Sequence, residues 1–433
     1  MTGLSLQCLH LQLERPSGPL RPAIQAALAG HGRPLRWAIT AASEGQLEIE
    51  AVVGLGAGDG VVDAVAPPGG GKCLTAADQA AAPLPILLVI PTGIGCELGG
   101  YAGDGLAAAR LLAAASGSLV THPNVMNGAS LYWSDRRIHY VEGSALDRFA
   151  AGGLALRPVR HQRLGVLLDA GIEPELCRRH LQVVDGCRAS LGLEIGPVLR
   201  TQDPLEVSLQ QGPSGASWGQ LGRPDALLRA GEALRQAGAT AIAVVARFPE
   251  DPASEALAAY RSGSGVDALA GAEAVISHLL TEHLGIPCAH APALSPLPLS
   301  ADLDPRAAGE ELGYTFLACV LVGLSRAPDL VPRPVAGDWS DPQLLRPELI
   351  GAVVAPADAL GGAAVLACAE RGVPVIAVHN PCVLEVNAEA LGLKVLQARS
   401  YSEAAGLVLA LREGIAPAAL QRPLPPLRLL QPR

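Results

Sequence analysis

The pattern of apolar and polar positions changes character near residue 80. Before it, "LSLQCLHLQL" alternates as a half-buried strand does, and "RPAIQAALAGHG" repeats with a helical period that ends at glycine. "RWAITAASEGQLEIEAVVG" reads as a hairpin turning at Ser43–Glu44–Gly45. This β-α-β-β order predicts a small α+β domain over residues 1–80.

Beyond residue 85 the chain repeats a unit of apolar run, glycine turn, helical pattern and apolar run. Strands are predicted at 85–90, 118–122, 137–141, 163–169, 194–200, 240–247, 285–289, 350–355 and 373–378. Several are apolar throughout, as a sheet covered by helices on both faces requires. The expected fold is therefore α/β, with Rossmann-like, doubly wound, mostly parallel sheets beside the small N-terminal α+β domain. Residues 81–160 and 335–433 are assigned to one Rossmann-like region and 161–334 to a second α/β region. The Pro-rich stretches 292–305 and 328–347 read as boundaries or surface connections.

Two units echo each other. "LLVIPTGIGCELGG", a helix and "GSLVTHPN" parallel "GAVVAPADALGG", a helix and "VPVIAVHNP". In a parallel sheet both turns and both strand ends fall on the carboxyl edge, where α/β proteins bind ligands. If the units are neighbours, Gly99, Gly100, His122, Asn124, Gly361, Gly362, His379 and Asn380 share one crevice. The alternative is the ordinary likeness of βα units in a chain rich in Ala, Gly and Val.

Composition narrows the class. Of 433 residues 49% are hydrophobic and 17% charged, enough for a compact fold of several domains. No apolar run approaches the roughly 20 residues of a membrane span; "YTFLACVLVGL", 314–324, reads as a buried helix. The first residues lack the basic and apolar regions of a signal peptide, so a cytoplasmic protein is expected. The net charge of −9 argues against nucleic-acid and membrane partners. A small-molecule ligand is the expected partner, with homo-oligomerisation left open. Nine cysteines without a CxxC pair disfavour a disulfide scaffold and a zinc ribbon. "GGGK" at 69–72 is a poor phosphate loop, because Ala66 stands where its first glycine belongs and Cys73 replaces Ser/Thr.

Seven separated blocks carry a family likeness: "PTGIGCELGGYAGD", "THPNVMNGA", "YVEGSALDRFA", "PSGASWG", "GVDALAGAEAVISHLL", "IPCAHAPALSPLPL" and "EELGYTFLACVLVGLSRAP". From about residue 85 to 410 the chain resembles the uncharacterised family called domain of unknown function 3326. That family has no established activity, so the resemblance implies membership and supplies no catalytic residues.

The candidate sites rest on the residues themselves. Gly93, Gly95 and Gly99 form G-x-G-x-x-x-G, one place longer than the dinucleotide fingerprint, and no acidic residue ends the next strand. Nicotinamide binding is thus an alternative, and a glycine turn carrying a small ligand with Thr92, Gly93, Gly95, Gly99 and Gly100 is preferred. Cys96, read as lying just before a helix, is a candidate nucleophile, with His122 as its base. Asn124 and Asn127 are candidate ligand contacts. Cys382 of "HNPC" echoes Cys96, which leaves a two-thiol isomerase open. His290 is a candidate acid or base. His278, Cys288 and His290 match no standard zinc spacing, so no metal is assigned. Ser214 and Ser217 of "GPSGASWG" offer hydroxyls and bare amides to an anionic group, and Gly361–Gly362 opens a similar helix start. Glu142 and Asp169 are weighed as strand-end carboxylates, and Asp147 as a dipole-favoured early helix residue. The reading is a metabolic enzyme of hydrolase, lyase or isomerase type, acting on a small polar or anionic metabolite with Cys96, His122 and His290. An NAD(P)-dependent oxidoreductase and a non-enzymatic ligand sensor or assembly factor are the alternatives. The cofactor is unassigned.

Overall fold

The computed structural model describes residues 4–43, 45–56, 82–312, 316–334, 339, 341–424, 426–427 and 429. The "GGGK" stretch, Lys72 and Cys73 lie outside them. In chain order the described strands are β1 (Ser5–Glu14), β2 (Arg33–Ala42), β3 (Gln46–Leu55), β4 (Leu84–Leu88), β5 (Gly117–Thr121), β6 (Ile138–Tyr140), β7 (Leu154–Arg157), β8 (Leu164–Leu168), β9 (Ile195–Arg200), β10 (Val207–Gln211), β11 (Ser217–Leu221), β12 (Ala241–Arg247), β13 (Cys288–Ala293), β14 (Asp329–Pro332), β15 (Ala352–Pro356), β16 (Val375–Val378) and β17 (Val395–Ala398). The described helices include α1 (Leu20–Ala29), α2 (Leu106–Ser116), α3 (Gly143–Ala150), α4 (Ala270–Leu284) and α5 (Ala363–Glu370), of which α3, α4 and α5 reach the central crevice.

The fold is mixed α/β. A parallel sheet has the order β17-β16-β15-β4-β5-β6, and a second parallel sheet has the order β13-β12-β8-β9. The N-terminal segment forms an antiparallel sheet, β1-β3-β2, with α1 packed on it. Strands β4, β15 and β8 are fully apolar and buried along most of their length, so helices must cover both faces.

The chain leaves β4 toward β5 and β6, and leaves β15 toward β16 and β17 on the opposite side. Adjacent β4 and β15 therefore mark a topological switch point, where the two following turns diverge and open a crevice. The echoing units are neighbours in space. Strand β2 lies across the turn after β15: Ile39 N–H donates to Gly361 O at 3.1 Å, and Ala38 bridges Gly362. The N-terminal sheet thereby covers the crevice.

Two expectations shift. The strand placed at 285–289 begins at Cys288, because Gly285 closes α4 in the left-handed region with φ 67°. The surface connection at 328–347 contains β14, which pairs antiparallel with β7. The apolar stretch at 314–324 is a buried helix, Phe316–Leu324. Among the described residues no single helix is long and apolar enough to cross a membrane.

Candidate functional site

A cavity of about 190 Å³ sits beneath the N-terminal sheet, over the switch point. Strands β2 and β3 supply Arg36–Thr40 and Glu50–Val52 to its walls, and the turn after β4 supplies Val89, Pro91, Thr92 and Ile94. His122, Asn124 and Asn127 follow β5, while Glu142 and Gly143 open α3 and Asp147 comes from its second turn. The second sheet contributes His290 and, through α4 and its approach, Asp267, Glu273, Ser277 and His278. Gly361, Gly362 and Ala364 close the remaining side.

Polar side chains meet there in small, mutually supporting groups. Glu142 caps α3 by accepting from Ser144 N–H at 2.9 Å, and its other oxygen meets His278 Nδ1. Both are buried. Burial opposes the charge of each, yet His278 still titrates above its ordinary value because Glu142 faces it. Glu142 likewise lies below the usual carboxylate range, held there by His278, Ser144 and the α3 amides despite burial. An added Cβ on Gly143 would stand 2.7 Å from His278 Cε1, so this glycine makes room for the ring. A second group joins His290 to Ser277 Oγ through Nδ1 and to Glu273 Oε2 at 3.5 Å through Nε2. Burial pushes the Asp147 carboxyl up to about 7, against the pull of His278, and the Ala364 N–H at the start of α5 bonds to it. Burial and the nearby Glu273 carboxylate push Asp267 up to about 7 as well.

The covering sheet brings Arg36 and Glu50. Arg36 Nη2 donates to Thr92 O at 3.0 Å, and no carboxylate among the described residues lies within 4.0 Å of it. Glu50 accepts from Ser214 N–H at 2.8 Å and from Trp218 Nε1 at 2.7 Å.

The candidates named from sequence divide. Thr92, His122, Asn124, Asn127, Ser217, His290, Gly361 and Gly362 line the cavity. His122 is buried, and its Nε2 accepts the Ile90 N–H at 3.1 Å. Burial pushes it down to about 4, so the ring is neutral at neutral pH. Asn124 donates to Gly99 O at 2.7 Å, Asn127 accepts from Tyr140 OH at 2.8 Å, and Ser217 Oγ accepts from Gly271 N–H at 3.0 Å. Ser217 therefore satisfies a first-turn amide of α4.

Cys96, Gly93, Gly95, Gly99, Gly100, Ser214, His379 and Asn380 lie off the cavity wall. Gly93, Gly95 and Gly99 do adopt positive φ, but space for a Cβ is blocked by Ser217 Oγ, Gly265 O and Ile90 Cγ2 respectively. They serve close packing, and the turn presents no open cradle at those positions. The next helix begins only at Leu106, so Cys96 has no helix start beside it. Cys96 is 1% exposed, and the adjacent Cys382 thiol together with burial pushes its thiol far up. His379 is exposed. Asn380 is buried and clasps Leu98, accepting its N–H at 2.9 Å and donating to its carbonyl at 2.8 Å. Asp147 sits beyond the first turn of α3 and faces the start of α5 instead. Asp169 closes a loop of the other sheet by accepting from Gly171, Leu205 and Arg247 amides. Among the described residues no group of three His, Cys, Asp or Glu could hold a metal ion.

The sequence groups Glu273 and Ser277 with His278 on one helix, but it does not single out Arg36, Asp267 or the pairing of His278 with Glu142. Helix α4 is buried on nearly every side, so its polar residues form no stripe. Arg36 reaches the cavity only because β2 folds over a distant turn.

No solved structure matches the chain. Residues 6–54 match a second family, described as "Domain of unknown function (DUF8621)". A protein of Synechococcus sp. named "Uncharacterized lipoprotein" is 53% identical over 335 residues, spanning 77% of this chain and 92% of its own length. That comparison overturns the expected cytoplasmic location, since the relative's name points elsewhere. In general a lipid anchor needs no membrane-spanning helix, so the want of an apolar span does not decide location. Residues 85–421, most of the chain, match the family described as "Protein of unknown function (DUF3326)", and the chain belongs to that family.

Proposed function

We propose that this protein is an enzyme that moves protons on a small polar metabolite held beneath the N-terminal sheet. The observation that carries this reading is the gathering of Asp147, the Glu142–His278 pair and the Glu273–Ser277–His290 group around one cavity. Asp147, pushed up to about 7, is matched to give and take a proton at neutral pH. His290 is a second proton carrier, oriented by Glu273. The Glu142–His278 pair supplies a fixed dipole to developing charge.

Among the described residues, five carboxyl groups, Glu50, Glu142, Asp147, Asp267 and Glu273, line the cavity against the single guanidinium of Arg36. That balance favours a hydroxyl- or amine-bearing substrate over a strongly anionic one. Lyase or isomerase chemistry suits the set, because Cys96 lies off the cavity and Ser277 is buried in α4. The nicotinamide alternative has less support, since the turn glycines face packed protein atoms.

The test is thermal-shift screening against hydroxy acids, amino acids and polyols, followed by NMR of each hit in deuterated water. Exchange of a substrate C–H for deuterium with the wild type, and its loss in Asp147→Asn, is the expected result. Stable binding without exchange would leave a ligand sensor and overturn the enzymatic reading.

A further inference from the structure

Cys96 and Cys382 sit on the two facing segments that come after the echoing strands, outside the cavity. Their chains are clamped on either side: Glu97 N–H donates to Pro381 O at 2.9 Å, and Val383 N–H donates to Ile94 O at 3.1 Å. Between these bonds the two cysteines are held side by side, close enough for their thiols to influence each other. Their exposures differ. Cys96 is buried, whereas Cys382 is half-buried between exposed Pro381 and exposed Val383.

We propose that Cys382 and Cys96 form a thiol–disulfide exchange centre, in which Cys382 attacks a small disulfide and Cys96 resolves the adduct. Roles follow from access, because of the two thiols Cys382 is the one near the surface and Cys96 is buried. The adjacent Cys96 thiol also draws the Cys382 thiol below its ordinary value, with burial opposing, while Cys96 keeps its proton. Elsewhere burial pushes Cys187, Cys288, Cys319 and Cys368 the other way. When protonated, Cys382 donates to Leu384 O at 3.7 Å, a weak bond that is easily given up.

The chemistry balances within the dithiol and its substrate. The Cys382 thiolate attacks one sulfur of the disulfide, forms a mixed disulfide and expels a thiolate, which takes a proton from water. Cys96 loses its proton to water and attacks Cys382 Sγ. The mixed disulfide breaks, the second substrate sulfur leaves as a thiol, and a Cys96–Cys382 disulfide remains. Two protein thiols are oxidised as one substrate disulfide is reduced to two thiols, and a dithiol reductant restores the centre.

The experiment treats the reduced full chain with oxidised glutathione at neutral pH and follows intact mass and non-reducing peptide maps. The wild type is expected to yield the Cys96–Cys382 disulfide and to release both glutathione thiols. Cys96→Ser should accumulate one glutathione on Cys382, and Cys382→Ser should give neither product. A wild type whose first modified cysteine is another one, or a folded Cys96→Ser chain without glutathione on Cys382, would overturn the proposal. If either serine variant is unfolded by circular dichroism, limited iodoacetamide labelling of the wild type decides. Cys382 labelled first supports the proposal, and any other order refutes it.

Discussion

Glu142 and His278 face each other at the cavity wall, each buried and each the other's counter-charge. Removing one partner leaves an isolated charge in a poor solvent, so His278→Gln or Glu142→Gln should cost about 3–5 kcal/mol. The double variant should cost less than the sum of the two. Urea unfolding of all four chains at pH 6 measures the coupling. The pH window follows from the shifts. His278 is raised, so its contribution is complete below 6.5 and fades as pH rises through its higher folded value. Glu142 is lowered, so its contribution is present above 4.5 and is lost as pH falls through its depressed folded value. The pair therefore stabilises most between 4.5 and 6.5.

Asp147 carries the opposite sign. Its folded pKa of about 7 exceeds the ordinary 3.8, so the folded chain binds this proton more tightly than the unfolded one. Stability is therefore lost as pH rises from 3.8 toward 7. Asp147→Asn removes that penalty. Relative to wild type, the variant should gain on the order of 4 kcal/mol between acid and mildly alkaline conditions. Chemical denaturation of both chains at pH 4 and pH 8 reads the difference, and a pH-independent gap would count against a raised Asp147.

His379 and Asn380 stand side by side in the sequence and do different work. Asn380 satisfies both backbone groups of Leu98 and also donates to Tyr401 OH at 2.9 Å. Asn380→Ala orphans those buried groups and should cost about 2–4 kcal/mol. His379→Ala removes an exposed ring and should change stability by less than about 0.5 kcal/mol. Equal effects in thermal unfolding would mean that the clasp between the two echoing units is not formed.

These pairs show what could be read in advance and what could not. The strands were legible because β4, β8, β12 and β15 are short apolar runs bounded by turn residues, a pattern that helix-covered strands must produce. The echo was legible because both units need the same strand, turn and helix chemistry, and β4 and β15 do pair. Side-chain use was not legible. Asn124 and Asn380 look like ligand contacts, yet both spend their amides on neighbouring backbone. Likewise Gly93, Gly95 and Gly99 are needed for tight packing, and a composition pattern cannot tell that from an open cradle. Arg36 and Glu50 reach the cavity through tertiary contact across distant chain segments, which no local pattern encodes.

The cover over the crevice offers the last prediction. Gly361 takes the Ile39 N–H on its carbonyl at 3.1 Å, and an added Cβ there would stand 2.4 Å from Ile39 O. Backbone cannot yield that much locally, so Gly361→Ala must push β2 away from the turn after β15. Gly362 tests the specificity of the effect, because a Cβ there meets nothing within 4 Å. Gly361→Ala should cost about 1–3 kcal/mol, speed amide exchange along Arg36–Ile39 and weaken any thermal-shift response to cavity ligands. Gly362→Ala should leave amide exchange along β2 close to wild type. Hydrogen exchange that is equally fast, or equally slow, along β2 in both variants would mean that the N-terminal sheet does not seal the cavity through this contact. The ligand response then has to be controlled elsewhere.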